Sequence, residues 1–394
     1  MKRKYLVIAM DMSDLAAGIV FKRIVNAMAD IAECEIICPK IDVEIKQQHK
    51  IIPCPSFKRY HPVVEQWVYN HFGIRLSEYF FGRTLYKIVA STTKHDSYDA
   101  VISFLYGSNL APLFFRKSIS SKLKLPWAVY TVDAIPAPLA WEPNEKHRKK
   151  LLRIIRKYLT EADAVVAANM KMLNYELDCL TYFKGLSGVV LTPCDNVEKT
   201  DVDNKSNPVV TFLYAGQIYN IRRIGSLLKG FEMFIEKKPN AKLIFVGSNK
   251  IEDFAGFEHL IANGSIERHG FTKNINAFYN KADILIDISG DVENDVFLSS
   301  KVCNYLTYNK PIIAISRDGS PVREMMSGCE TIIHCHHDCV EILSALEKSV
   351  NVVSVDYRER DGLKKMFEAE EVAKGFCYDL EKMINKYNEG KNER

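Results

Sequence analysis

Several groups of residues in this chain have the types and spacing to do chemistry. An apolar run ends at Tyr214-Ala215-Gly216-Gln217, and Arg222 and Arg223 follow just before a helical pattern. Glycine at a strand end lets the backbone turn tightly and a ligand come close. The donor fork of an arginine matches the oxygens of a diphosphate. The plain alternative is a structural glycine beside a surface arginine pair. Farther on, Ser299-Ser300-Lys301 opens a helix that contains Asn304. Serines are good N-cap residues, and a helix N-terminus offers free N–H groups and partial positive charge to a phosphate. Lys301 sits in the first turn, where a cation opposes the helix dipole, and a nearby anion would remove that conflict. Asn304, one turn on, reaches the same side, where an amide can hydrogen-bond ribose hydroxyls. The plain alternative is a capped helix.

The first half of the chain carries further candidates. Asp133 follows the run Trp127-Ala128-Val129-Tyr130 and precedes Ile135-Pro136-Ala137-Pro138. A carboxylate at a strand end can bind a sugar hydroxyl or act as a base; it can equally cap the turn before the prolines. Tyr106-Gly107-Ser108-Asn109 is another polar loop after a strand. The loop from Asp11 to Gly18 opens a helix and keeps one glycine; it is not a G-x-G-x-x-G, so a dinucleotide dehydrogenase is unsupported. Residues 146–158 are dense in Lys and Arg with apolar residues interspersed. Such a helix can lie on an anionic membrane, or it can be a surface helix with its leucines in the core. His334-Cys335-His336-His337-Asp338-Cys339 has ligand types that suit zinc. Six adjacent residues cannot all turn to one ion, however, so the run is read as a surface loop before a helix, with no metal. Cys194 and Cys303 read as small buried hydrophobes.

These residues need elements to hold them. Short β-branched runs at 5–9, 35–38, 100–104, 127–130, 164–168 and 189–192 alternate with helical patterns, and a second series follows at 209–214, 242–246, 266–269, 284–288 and 312–315. Strands apolar on both faces and alternating with helices imply parallel sheets. The polar segment 196–208 carries no apolar period, ends in proline and reads as a linker. The expected architecture is α/β, with two Rossmann-like domains at 1–197 and 208–356 facing across a cleft. A C-terminal helix at 373–390 would complete the first domain. Ligands of such sheets sit outside the carboxyl ends of the strands.

Composition sets the outer limits. The chain has 394 residues, 47% hydrophobic and 26% charged, which excludes disordered and fibrous classes. A formal net charge of +4 is too small to argue for nucleic acid. Ten cysteines without a C-x-x-C pair, and no visible secretory or membrane-spanning stretch, point to a cytoplasmic protein with reduced thiols.

The order of the second-half pieces adds specificity. "FLYAGQIYNIRR", "KPNAKLIFVGSN", "ERHGF", "FYNKADILIDIS" and "LSSKVCNYLTYNKPIIAI" follow one another from residue 209 to about 351. This series resembles the nucleotide-sugar domain of GT-B-fold glycosyltransferases of the family 4 type, most of all bacterial members that build surface polysaccharides.

The resemblance implies roles by position. Gln217 stands where members often have an arginine, and Arg222 stands where they have a lysine that grips the donor diphosphate. Val296 and Asn304 stand where members have two glutamates, and Glu293 lies close enough to the first position to take its role. Asn304 would bond the ribose, and the base would pack just after Gly270-Phe271. Gly216, Ser299, Ser300 and Lys301 complete the donor site. Gly18 would face the acceptor side, with Asp133 as the acceptor carboxylate. The implied reaction moves a sugar from a nucleotide-diphosphate sugar, most often a UDP-sugar, to a glycan or lipid-linked saccharide. It retains configuration and needs no bound metal or other cofactor. Lipid-linked acceptors imply residence at the inner face of the membrane. The departures at Gln217, Val296 and Asn304 keep a second reading open, a non-catalytic relative that binds glycan or assists another transferase.

Overall fold

The computed structural model describes residues 2–13, 16–41, 44–93, 97–107, 109–114, 125–194, 209–218, 221–247, 249–352 and 356–392. The segment 196–208 read as a linker, and Ser108 of the polar loop, lie outside the described residues. The chain divides into two compact units, one of Met1–Pro193 with Phe367–Arg394, the other Cys194–Met366.

The first unit holds a seven-stranded parallel sheet: β1 (Arg3–Ile8), β2 (Ala32–Ile37), β3 (Lys50–Ile52), β4 (Ala100–Leu105), β5 (Trp127–Thr131), β6 (Ala164–Ala167) and β7 (Leu186–Val189), in the order β3-β2-β1-β4-β5-β6-β7. Side chains alternate along β1: Tyr5, Val7 and Ala9 enter one core, Leu6, Ile8 and Met10 the other. That two-residue period is what strands buried on both faces require. The helix Ala16–Met28 covers one face together with the last helix, Ala369–Asn392. Phe376 of that last helix meets Phe104 and Tyr130 at ring-centroid distances of 6.4 and 6.1 Å.

The second unit holds a six-stranded parallel sheet: β8 (Val210–Ala215), β9 (Ala241–Val246), β10 (Ile266–His269), β11 (Ile284–Ile288), β12 (Ile312–Ile315) and β13 (Ile332–Cys335), in the order β10-β9-β8-β11-β12-β13. In both sheets the strand order reverses once, between β1 and β4 and between β8 and β11. The loops that leave such a reversal diverge and open a crevice.

Four expectations change. The strand expected at 35–38 begins at Ala32, where its register with β1 starts at Arg3↔Ala32. The strand at 189–192 starts earlier, at Leu186, because pairing with β6 sets its register at Ala164↔Leu186. The short edge strand β3 was not expected. His334 and Cys335 belong to β13 rather than to a surface loop: Ile332 and Ile333 pair with β12, and the two polar-looking residues continue that ladder.

Candidate functional site

At the reversal in the second sheet, β8 and β9 end side by side in glycines. The Gly216 N–H donates to the Val246 carbonyl at 2.8 Å, and the Gly247 N–H to that of His269 at 3.0 Å. A Cβ on Gly247 would collide with the Gly216 carbonyl. A Cβ on Gly216 would lie 2.9 Å from Lys301 Cδ and 3.2 Å from its Nζ. Both glycines have positive φ, 155° and 127°, which L side chains rarely adopt. Gly216 is therefore required: it leaves the space that the Lys301 side chain fills.

Lys301 is 15% exposed, and its ammonium lies 3.9 Å from Asp287 Oδ1 and 5.7 Å from the centroid of the Tyr214 ring. No hydrogen bond from that ammonium is present among the described residues. Burial, and after it the charge of Arg222, pull its pKa down to about 8, against the pull of Asp287. The Lys301 side chain thus lies against Gly216, within the field of the Arg222 charge and beside the buried Asp287 carboxylate. Asp287 comes from near the carboxyl end of β11, where a lone acid interrupts the apolar run Ile284–Ile288. Its Oδ1 accepts a 2.6 Å hydrogen bond from Ser299, and its Oδ2 has no hydrogen-bond partner. The capping expected of Ser299 is corrected here: its hydroxyl turns to Asp287, and the helix Ser300–Tyr305 has no side-chain cap. Asp287 also supplies the anion that the position of Lys301 called for.

The loop after β11 is tied to the arginine loop, since the Asp291 N–H donates to the Ile221 carbonyl at 2.8 Å. It leads to a pocket of about 470 Å³ lined by Asp291, Glu293, Arg317, Asp318, His336 and His337 among others. Arg317 Nε binds Asp291 at 2.7 Å. His336 bridges Glu341 and Asp318 at 2.8 and 3.1 Å, and these carboxylates raise its pKa. Both ring nitrogens of His337 are buried without a hydrogen-bond partner among the described residues, and burial lowers its pKa. Glu293 is exposed on the rim, next to Asn294 with its φ of 54°.

The remaining donor candidates scatter around this centre. Gln217 is exposed, and its carbonyl accepts from the Tyr214 hydroxyl at 3.0 Å. Asn304 is half-buried on the helix Ser300–Tyr305. Gly270 has open space beside it at the end of β10, and Phe271 is 80% exposed. Val296 is buried in the core and can do no acid–base work.

Gly18 and Asp133 lie in the first unit. Gly18 is buried, and a Cβ on it would sit 2.5 Å from the Ser13 carbonyl oxygen, so the glycine lets its helix close onto the loop after β1. Lys40 joins that loop by hydrogen bonds to Asp11 and Ser13 at 3.1 and 2.9 Å. Asp133 accepts from the Gly107 N–H at 3.2 Å, which links the loops after β4 and β5, and burial raises its pKa. Sequence reasoning missed its neighbour Glu176. This carboxyl is buried and contacts the Thr131 hydroxyl at 2.7 Å and the Ile135 N–H at 3.1 Å, and burial pushes it up to about 8. Within MKMLNYELDCL it reads as an ordinary helix acid.

The basic helix Glu145–Leu159 buries His147, Leu151, Ile155 and Leu159, so its apolar stripe belongs to the core. Among the described residues, no group of three or more His, Cys, Asp or Glu could hold a metal ion, and no helix is long and apolar enough to cross a membrane.

Residues 209–351 match the glycosyl transferases group 1 family. The matched stretch covers the whole second sheet, the loops that carry Gly216, Arg222 and Glu293, and the helix that carries Lys301. The chain matches no curated protein sequence. Among solved structures it is similar to Anabaena HepE in complex with UDP and glucose, at 11% identity and a TM-score of 0.63 over 96% of this chain and 99% of that one. The lipopolysaccharide outer core galactosyltransferase WaaB matches at 13% identity with the same TM-score of 0.63 and the same 96% and 99% coverage. A variant of S. aureus TarM bound to UDP, fondaparinux and α-GlcNAc-glycerol matches at 9% and 0.63, again over 96% and 99%. At these identities the likeness establishes the fold, two Rossmann-like domains as in GT-B glycosyltransferases.

Proposed function

We propose that this chain is a glycosyltransferase that moves a sugar from a UDP-sugar to a hydroxyl of a glycan or lipid-linked saccharide, in the synthesis of a cell-surface polysaccharide. The observation that carries this reading is the ammonium of Lys301, held over Gly216 beside Arg222, at the reversal of a sheet that matches a glycosyl transferases group 1 domain. Asp287 offsets the burial of Lys301 and the charge of Arg222 only in part, so a further anion at this ammonium is favourable. A diphosphate is such an anion, and HepE and the TarM variant are described with UDP.

In the proposed reaction the bond from the sugar C1 to the diphosphate oxygen breaks and UDP leaves with the electron pair. A bond forms from C1 to the acceptor oxygen, and the acceptor proton departs. Arg222 and Lys301 meet the charge that builds on the leaving diphosphate, which is where preorganised donors contribute most. Asn304 serves the ribose hydroxyls, the exposed Phe271 and Gly270 the base, and Glu293 a sugar hydroxyl at its polar pocket. Asp133 is the candidate carboxylate for the acceptor. Retention of configuration and independence of a divalent ion complete the proposal, and a lipid-linked acceptor would be met at the cytoplasmic face of the membrane.

The burial of Val296 where the family has a glutamate favours a second reading, a glycan-binding partner without catalysis. Thermal unfolding with UDP, ADP and GDP in the absence of magnesium separates the two, because a ligand of the folded state raises the midpoint by mass action. A shift with UDP, followed by a transferred sugar in mass spectra with UDP-sugars, is expected. A chain that no nucleotide shifts, yet that binds glycan, would establish the second reading.

A further inference from the structure

The helix Pro62–Phe72 has no buried residue. Val63 is 69% exposed, Trp67 56% and Phe72 58%, with Val64 also in the open. Val63, Val64, Trp67 and His71 fall on one side of the helix by its 3.6-residue period. Tyr60 and Phe80 extend this apolar surface, their rings 6.0 Å apart, and Tyr79 joins Phe80 at 5.7 Å. A clustered exposed surface of this kind marks an interaction site, whereas single exposed hydrophobes do not.

The charge around it is one-sided. Lys58, Arg59, Arg75, Arg83 and Lys87 are all exposed. From 53 to 87 the carboxylates are Glu65 and Glu78. Glu78 is buried, and Glu65 accepts the N–H groups of Tyr60 and Ser77. The basic helix Glu145–Leu159 packs alongside: the Tyr69 and His147 rings lie 4.3 Å apart, and Lys150 donates to the Asn70 carbonyl. With Leu151, Ile155 and Leu159 in the core, that helix leaves Lys146, Arg153 and Lys157 exposed along one side, with Lys149 beside them paired to Glu145 at 2.8 Å.

We propose that this surface docks on an anionic lipid bilayer, with Val63, Val64 and Trp67 entering the interface and the neighbouring lysines and arginines meeting the headgroups. The division of labour is the informative point: the basic helix supplies charge without apolar side chains, and Pro62–Phe72 supplies the apolar side chains. Eleven residues span about 16 Å, too short to cross a bilayer but suited to lie in its surface. Tryptophan and tyrosine favour that depth. A second copy of the chain fits less well, because a two-fold contact through this face would set cations against cations.

The test is sedimentation of the full chain with phosphatidylcholine vesicles, with and without about one-third phosphatidylglycerol. Binding to the anionic vesicles alone is expected. Val63→Ala with Trp67→Ala should weaken it about tenfold. Lys146→Gln with Arg153→Gln should weaken it by about tenfold or more at low salt, and the difference should vanish at about 1 M salt. Each variant should keep the melting midpoint and the UDP shift of the unchanged protein, because the replaced side chains are exposed. Equal binding to neutral vesicles, no binding, or unchanged binding by the Val63/Trp67 variant overturns the proposal. So does a concentration-dependent dimer, or a complex with an acidic protein, that the same variant abolishes. The UDP shift is read separately, so failure here leaves the donor reading untouched, and the reverse also holds.

Discussion

Two buried lysines of the second unit differ sharply in the partners that hold them. Lys310 donates to the carbonyls of Tyr279 and Asn280 at 2.6 and 2.7 Å and to that of Ala282, which saturates it on the free carbonyls at the end of the helix Ile275–Lys281. Lys301 has one carboxylate at 3.9 Å and no hydrogen bond from its ammonium among the described residues. Its pKa of about 8 lies below the ordinary 10.5. Between those two values the unfolded chain holds a proton that the folded one lacks, so stability rises with pH across that window, and the cost of burying the charge is complete below about 8. Lys301→Met should therefore melt higher than the unchanged protein at pH 7, with the gap closing toward pH 10.5, while its UDP shift shrinks. Arg222→Ala should lower the transfer rate about 10²–10³-fold, the effect of losing one oxyanion-stabilising group, with little change in melting. Arg222→Lys should keep more activity, because a point charge still binds phosphate. Transfer at an unchanged rate in Arg222→Ala would move the anchor to Lys301 or Arg223.

At the scale of elements, the short turn Tyr357–Arg360 latches the edge of the second sheet. The Arg360 guanidinium is buried and donates to the Thr331 hydroxyl at 2.6 Å, to the Lys310 carbonyl at 2.8 Å and to the Thr331 carbonyl. Glu359 accepts the Thr331 and Glu330 N–H groups at 2.8 and 3.0 Å. One turn thus holds the starts of both β12 and β13. Arg360→Ala leaves those acceptors buried without donors and should cost about 3 kcal/mol or more, read as an earlier unfolding transition in urea. Arg360→Lys should recover only part, because an ammonium cannot reproduce the planar fork.

At the scale of the whole molecule, the chain leaves the first unit, builds the second and returns. The returning helix Ala369–Asn392 inserts Ala373, Phe376, Leu380, Met383 and Ile384 into the core under β1, β4 and β5. Phe376→Ala should cost about 3–5 kcal/mol and bring forward the unfolding of the first unit. The UDP-dependent shift, which rests on residues of the second unit, should persist. A fall in both together would mean that the two units unfold as one cooperative body.

The residues themselves determined the α/β class and the run of the strands, because a strand buried on both faces must be apolar at every position and its helices must keep a 3.6-residue period. They also offered Gly216, Arg222 and Lys301 as candidates, since glycine at a strand end and cations near it are local features. Strand order is not local. Only the pairing of β8 with β11 set Gly216 against Lys301, and only tertiary packing showed which acids are buried. Glu176 in its helix and Asp287 in its strand carry the same letters as any surface acid, and what distinguishes them is the side chain across from each. The same holds for the two amphipathic helices of the first unit: both patterns allow an exposed or a buried apolar face, and tertiary contacts buried Leu151 and Ile155 while leaving Val63 and Trp67 in solvent.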